Sequence, residues 1–179
     1  MPNWCYNKLE IEGDSSDLKE LNEMMKEGFS LEKIMPTPKE YLSEGKEDSG
    51  EQLSFAEGME RRGGLPNWYK WRAVNWGTKW DVTDHKDDNI KLEKTETGYK
   101  TEFYTAWSPP VFALKALSRR LKSLTTVIKY VDEQMNFEGK ATIRNGTIDE
   151  THAERTMDGF QDAVMGKSPK LIELKDNDK

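Results

Sequence analysis

Seven consecutive residues, Asn75-Trp76-Gly77-Thr78-Lys79-Trp80-Asp81, force a change of backbone in the middle of the chain. Trp68, Trp71, Arg72 and Asn75 recur at helical spacing, so a helix that starts at Asn67 runs into this stretch. Glycine enters the left-handed conformation that ends a helix at little steric cost, and Gly77 stands where that is needed. Thr78 to Asp84 then alternates as a strand does. Trp80 and Val82 share one face, and Lys79, Asp81 and Thr83 the other. Any fold for this chain must therefore pass from helix to strand within a few residues here.

The flanking segments narrow the choice. Residues 4–12 read as a strand, with Cys5, Asn7, Leu9 and Ile11 in one phase and Trp4, Tyr6, Lys8 and Glu10 in the other. After Gly13, Asp14 or Ser15 can cap a helix whose apolar stripe is Leu18, Leu21, Met24 and Met25, with Gly28 as its stop. Pro36-Thr37-Pro38 imposes extended backbone. The polar, glycine-bearing stretch that follows makes a loop insertion of about residues 36–66. Residues 89–94 and 99–107 form a ribbon around a turn at Thr95–Gly98. Ser108 is placed to cap a second helix, with Pro109 at its first position and Val111, Leu114, Leu117 and Leu121 along its apolar side. Thr125–Val131 is apolar in both phases, as a well-buried strand is. Residues 136–143 give one more strand, and Asn145-Gly146 a tight turn.

Without the insertion and the last pieces, the order is β-α-β-β-α-β. That is the ferredoxin-like pattern of an antiparallel sheet covered on one face by two helices, in the α+β class. The domain spans residues 1–148. From Asp149 the composition shifts, and Ala153, Met157, Phe160 and Val164 predict a C-terminal amphipathic helix with a polar tail over 149–179.

Composition bears on function more than on fold. With 35% hydrophobic and 34% charged residues and a mean hydropathy of −0.90, the core is small for 179 residues. Six tryptophans argue against disorder throughout. A net charge of −6 lowers the expectation of a general nucleic-acid binder. The single cysteine, Cys5, allows no intrachain disulfide, in keeping with a reducing compartment. Neither a secretory signal nor a run long enough to span a bilayer is legible, and the expected localisation is cytoplasmic.

Three separated motifs carry a resemblance: Met1-Pro2-Asn3-Trp4-Cys5, Asn75 to Asp81, and Thr105-Ala106-Trp107-Ser108-Pro109-Pro110. With Tyr130, Glu133 and Phe137-Glu138-Gly139 they make the chain similar to the YubB/Api-like ferredoxin-like family over roughly residues 1–146. Such proteins are carried by bacteriophages and conjugative plasmids. The resemblance implies the fold and a place in the cytoplasm of a bacterial host, not a reaction.

The candidate chemistry gathers at the motifs. On a shared strand face, Lys79 and Asp81 would stand beside Trp4, Tyr6 and Lys8 of the first strand. Together they would form an aromatic and charged platform able to stack a base. The plainer alternative is an ion pair over the sheet; Trp68, Trp71, Trp76, Trp80 and Trp107 could line a pocket, though large aromatics are more often core. The candidate ligand-binding set is Trp4, Tyr6, Asn75, Trp76, Lys79, Asp81 and Trp107. Cys5 lies in phase with Leu9, and neither His85 nor His152 falls in a recognisable pattern with it, so it is not assigned as a nucleophile. Asp84-His85-Lys86-Asp87-Asp88 lacks the spacing of a calcium or zinc site and reads as a solvated turn. Gly63-Gly64 lacks the following Lys-Ser/Thr of a phosphate loop. No catalytic residue, metal or cofactor is assigned.

The expectation is a non-catalytic accessory binding protein that acts on a host protein or sequesters a small nucleotide-like ligand. A single-stranded nucleic-acid module using the open sheet face is the second reading. A nucleotide-processing enzyme using Lys79 and Asp81 is the third.

Overall fold

The computed structural model describes residues 3–42, 68–83, 89–132 and 137–154. Strand β1 (Trp4–Glu12) leads to helix α1 (Ser15–Met24), the one-turn helix α2 (Leu31–Ile34) and a single 3-10 turn at Lys39–Tyr41. Helix α3 (Trp68–Asn75) follows, then β2 (Glu93–Lys94), β3 (Gly98–Ala106), helix α4 (Val111–Arg120), β4 (Thr125–Asp132), β5 (Phe137–Arg144) and β6 (Thr147–Glu154).

The strands form one antiparallel sheet in the order β2-β3-β1-β4-β5-β6. Its first four members are the expected ferredoxin-like core, with β1 between β3 and β4. The sequence predicts one strand beyond that core; there are two. The hairpin β5–β6 turns at Asn145 and Gly146, both with positive φ (48° and 75°), the geometry an Asn-Gly pair favours. Strand β6 runs through the boundary expected at 148/149, so Asp149–Glu154 belong to the sheet. The amphipathic helix expected over 149–179, with Ala153 on its stripe, is strand as far as Glu154; the rest of it, like most of the 36–66 insertion and the Asp84–Asp88 turn, lies outside the described residues.

The alternation in β1 sorts its side chains as expected. Cys5, Asn7, Leu9 and Ile11 face the helices and are buried. Against them pack Phe103, Ile128, Ala141 and Ile143 of the sheet, with Leu21 and Met25 from α1 and its end, and Val111, Ala113, Leu114 and Leu117 from α4. Each such large side chain contributes roughly 1.5–3 kcal/mol on burial, so this layer is the main source of stability. Strand β4 departs from its expected two-sided burial: it alternates up to Lys129, and only Tyr130–Asp132 are buried in succession.

Of the strand expected at Thr78–Asp84, no ladder forms among the described residues, which end at Thr83. One bridge remains, Thr83 to Tyr104 of β3, and a ladder on that edge of β3 resumes only at Glu93–Lys94. Side chains account for the break by taking over backbone partners. Thr78 Oγ1 donates to the carbonyl of Ala106 (2.8 Å). The Asp81 carboxylate accepts from its neighbour Val82 N–H (2.8 Å) and from the start of α2. Gly77, at φ +90°, turns the chain as expected, but into this irregular segment.

The junction after β3 also differs from expectation. Helix α4 begins at Val111, and no side chain caps it. Ser108 instead donates its hydroxyl to the carbonyl of Gly77.

Candidate ligand-binding site

The three motifs meet at one end of the sheet. Trp107 N–H donates to the carbonyl of Asn3 (2.8 Å), and Ser108 and Thr78 bind across to Gly77 and Ala106. Beneath them, Asn7 Nδ2 donates to Thr105 Oγ1 (2.8 Å) and to the Cys5 carbonyl (2.8 Å), while Thr105 Oγ1 donates to the Ser108 carbonyl (2.8 Å). This buried polar chain is satisfied along its length, so it holds the three motifs rigidly.

On this base stands a cluster of half-buried rings. Lys79 Nζ lies 5.2 Å from the ring centre of Tyr69, 4.8 Å from Trp80 and 5.2 Å from Trp107. Tyr69 and Trp107 meet edge to face at 5.8 Å, and Trp4 packs on Trp80 at 5.9 Å. Electron-rich ring faces attract an ammonium by about 0.5–2 kcal/mol, which fixes this lysine in place. Among the described residues it makes no ion pair.

Behind Trp80 opens a cleft of about 480 Å³ lined by Trp4, Phe29, Ser30, Arg72, Trp80, Asp81, Val82 and Thr83. Its polar groups are held in place. Asp81 accepts from Ser30 Oγ (2.6 Å) and from the backbone N–H groups of Leu31 (2.6 Å) and Glu32 (3.3 Å), which makes it the cap of α2, supplied from 50 residues away. Arg72 lies over Trp76 (4.5 Å) and Trp68 (5.3 Å), binds Thr37 Oγ1 (3.0 Å) and pairs with Glu32 (3.2 Å).

The expected residues therefore divide. Trp4, Lys79 and Trp107 come together around Trp80. Asp81 lines the cleft but shares no strand face with Lys79, and the two form no ion pair; the shared platform is corrected to a cap and a caged lysine. Trp76 is fully buried and donates its indole N–H to the Met35 carbonyl (2.9 Å), a core role. Asn75 binds back to the Trp71 carbonyl (2.8 Å), closing its own helix. Tyr6 is 9% exposed, packs on Tyr104 and Val131, and donates to Glu102. Tyr69 and Arg72 stand outside the set expected from the sequence, where Trp80 enters only as a tryptophan that could line a pocket. The spacing of Tyr69 and Lys79, across a helix end and an irregular segment, follows no period that would have paired them.

Titration fits these roles. Burial, and then the neighbouring Asp132, push the Cys5 thiol well up, so it carries no thiolate at neutral pH. Burial and the hydrogen bond to Glu102 push the Tyr6 phenol up as well. Partial burial would raise Glu102, but hydrogen bonds from Lys8 and Tyr6 outweigh it and hold the carboxyl below its ordinary value.

The family comparison bears on this same region. Residues 75–165, which begin at the central motif and make up just over half of the chain, match the model of the ferredoxin-like domain in Api92-like protein. The chain belongs to the Api92-like family. A similar solved structure is that of protein api92 from Yersinia pseudotuberculosis, at 10% identity and a TM-score of 0.55, covering 87% of this chain and 99% of that one. At that identity the likeness shows the fold alone. No curated protein matches the sequence. Among the described residues no helix is long and apolar enough to cross a membrane, and none group into a metal-binding cluster.

Proposed function

We propose that this Api92-like chain is a non-catalytic accessory binding protein of a phage or plasmid, working in the cytoplasm of the bacterial host. Its site is the aromatic end of the sheet, and its ligand is a small nucleotide-like molecule. The observation that carries this reading is the caged Lys79. Its ammonium is held by ring faces and, among the described residues, neutralised by no carboxylate, so it presents a fixed positive charge next to Trp80. A planar ring stacked at Trp80 or Trp4 with its phosphate toward Lys79 would satisfy both features.

Binding is favoured over catalysis because the groups that could do proton or covalent chemistry are already engaged. Asp81 accepts four hydrogen bonds, and Cys5 is buried with a raised pKa. Stacking of bases on the open sheet face is disfavoured at its aromatic row, where Tyr6 is largely buried. A host-protein partner is the second reading. It is supported by Val74 on α3 (64% exposed) and Phe112 on α4 (45% exposed), apolar side chains on two helices that contact each other.

Tryptophan fluorescence tests the first reading directly, since Trp4, Trp80 and Trp107 surround the site. Titration with purine and pyrimidine nucleotides should quench emission saturably for one class. Lys79→Met, which keeps the length and removes the charge, should abolish the response while the far-ultraviolet spectrum is unchanged. A response identical in Lys79→Met, or no response to any nucleotide, would remove the small-ligand reading and leave the host-protein one.

A further inference from the structure

The face of the sheet away from the helices carries a second feature, independent of the aromatic site. Residues directly opposite one another in neighbouring strands share a face, so the register defines rows that cross the sheet. One row reads Glu102 on β3, Lys8 on β1, Lys129 on β4 and Lys140 on β5. Three lysines thus stand side by side on three adjacent strands. At a strand spacing of about 4.8 Å, the row spans roughly 10 Å between its outer Cα positions.

Like charges directly opposite each other destabilise a sheet. Among the described residues, only Lys8 of the three has a carboxylate partner, Glu102 at 2.7 Å. Glu10 and Asp149 stand on the next row, opposite Val127 and Thr142 respectively, yet neither forms an ion pair with Lys129 or Lys140. Lys100 on that row is engaged by Glu93 (3.2 Å). The chain has 33 acidic residues against 27 basic ones, so three adjacent lysines run against its composition. Lys8, Lys129 and Lys140 are half-buried, and Val127 and Thr142 stand on the adjoining row of the same face.

The geometry points to this lysine row as a binding site for a run of phosphoryl groups. A polyanion laid across β1, β4 and β5 would relieve the repulsion and receive two uncommitted ammonium groups and one shared with Glu102. The shared chemistry is a line of phosphates, found both in a nucleoside polyphosphate tail and in the backbone of a single-stranded nucleic acid.

The test uses the full chain and two probes, sodium tripolyphosphate and an eight-residue oligothymidylate, titrated calorimetrically at low salt. At least one should bind, and the double variant Lys129→Gln/Lys140→Gln should weaken it about tenfold or more while the Trp80 site is untouched. Tripolyphosphate binding identifies a small phosphate-rich ligand. Binding of the oligonucleotide alone identifies a nucleic-acid backbone, with log K falling against log salt at a slope of about −2 that becomes shallower in the variant. Lys129→Glu supplies an independent readout: a carboxylate between Lys8 and Lys140 should raise the thermal midpoint of the free protein and abolish binding. Failure of both probes to bind, or equal binding by the double variant, overturns the proposal. So does a midpoint lowered by Lys129→Glu together with unchanged binding.

Discussion

The hydroxyl of Ser108 donates to the carbonyl of Gly77, across 31 residues of chain. It joins the end of β3 to the turn after α3, so two of the three motifs are halves of one structure. Removing the donor leaves a half-buried carbonyl without it. Ser108→Ala should therefore cost about 1 kcal/mol in urea unfolding. Ser108→Asp, an excellent helix cap that cannot donate to a carbonyl, should restore nothing. Full recovery with Asp would mean that Ser108 acts on α4 after all.

Gly77 itself should resist substitution more strongly. At φ +90° an L side chain is strained, and a Cβ would stand 3.0 Å from the Pro109 carbonyl oxygen. Gly77→Val should lose more than about 1 kcal/mol. Gly77→Ala should lose less than Val but still be measurable, and an unchanged denaturation midpoint for both would contradict the turn described.

Asp81 is an architectural carboxylate in this structure, not an exposed partner of Lys79. Asp81→Ala strands the N–H groups at the start of α2, and the loss should be about 2 kcal/mol. Lys79→Ala, which forfeits only contacts with ring faces, should cost about 1 kcal/mol or less. Hydrogen exchange of Leu31 and Glu32 should accelerate in the first variant and not in the second.

Acid should weaken the sheet through Glu102. Its folded-state pKa lies below the ordinary value of 4.5, so the ionised group contributes stability above that pH. The contribution is lost as pH falls through the lower folded-state value. The stability difference between the natural chain and Glu102→Gln should be largest near neutrality and shrink below pH 4.5. A gap that stays constant down to pH 2 would show that the carboxylate's charge is not what stabilises this corner.

Much of the fold was legible because it rests on periodicity. Leu9 and Ile11, or Leu114 and Leu117, announce their buried faces by spacing alone. The ferredoxin-like order follows once those faces are counted. The Thr78–Asp84 segment was misread as a strand for a physical reason. Its residues alternate in type, but Lys79, Trp80 and Asp81 are all half-buried, and Asp81 and Thr78 use their side chains where a strand would use its ladder. Strand β6 was missed in part because Thr147–Glu154 is polar, as an edge strand with few apolar neighbours can be. The site was half legible. Tryptophan-rich motifs marked Trp4, Lys79 and Trp107, but the inclusion of Tyr69 depends on how α3 is set against β3, which no local pattern encodes. The lysine row is invisible in sequence, since Lys8, Lys129 and Lys140 become neighbours only through register.

The position of β1 at the middle of the sheet governs how the protein can come together. Its ladder to β3 joins residues 96 positions apart, as Asn7 to Phe103, and its other neighbour, β4, comes later still. The strand that both halves of the core lean on must therefore wait, unpaired, until the chain has supplied β3, and keeps one open edge until β4 follows. Such non-local pairing makes folding slower than that of a helical protein of similar size. Until then Leu9 and Ile11 are open to other chains, so yield on synthesis should depend on how fast β3 and β4 arrive as well as on the stability of the finished sheet.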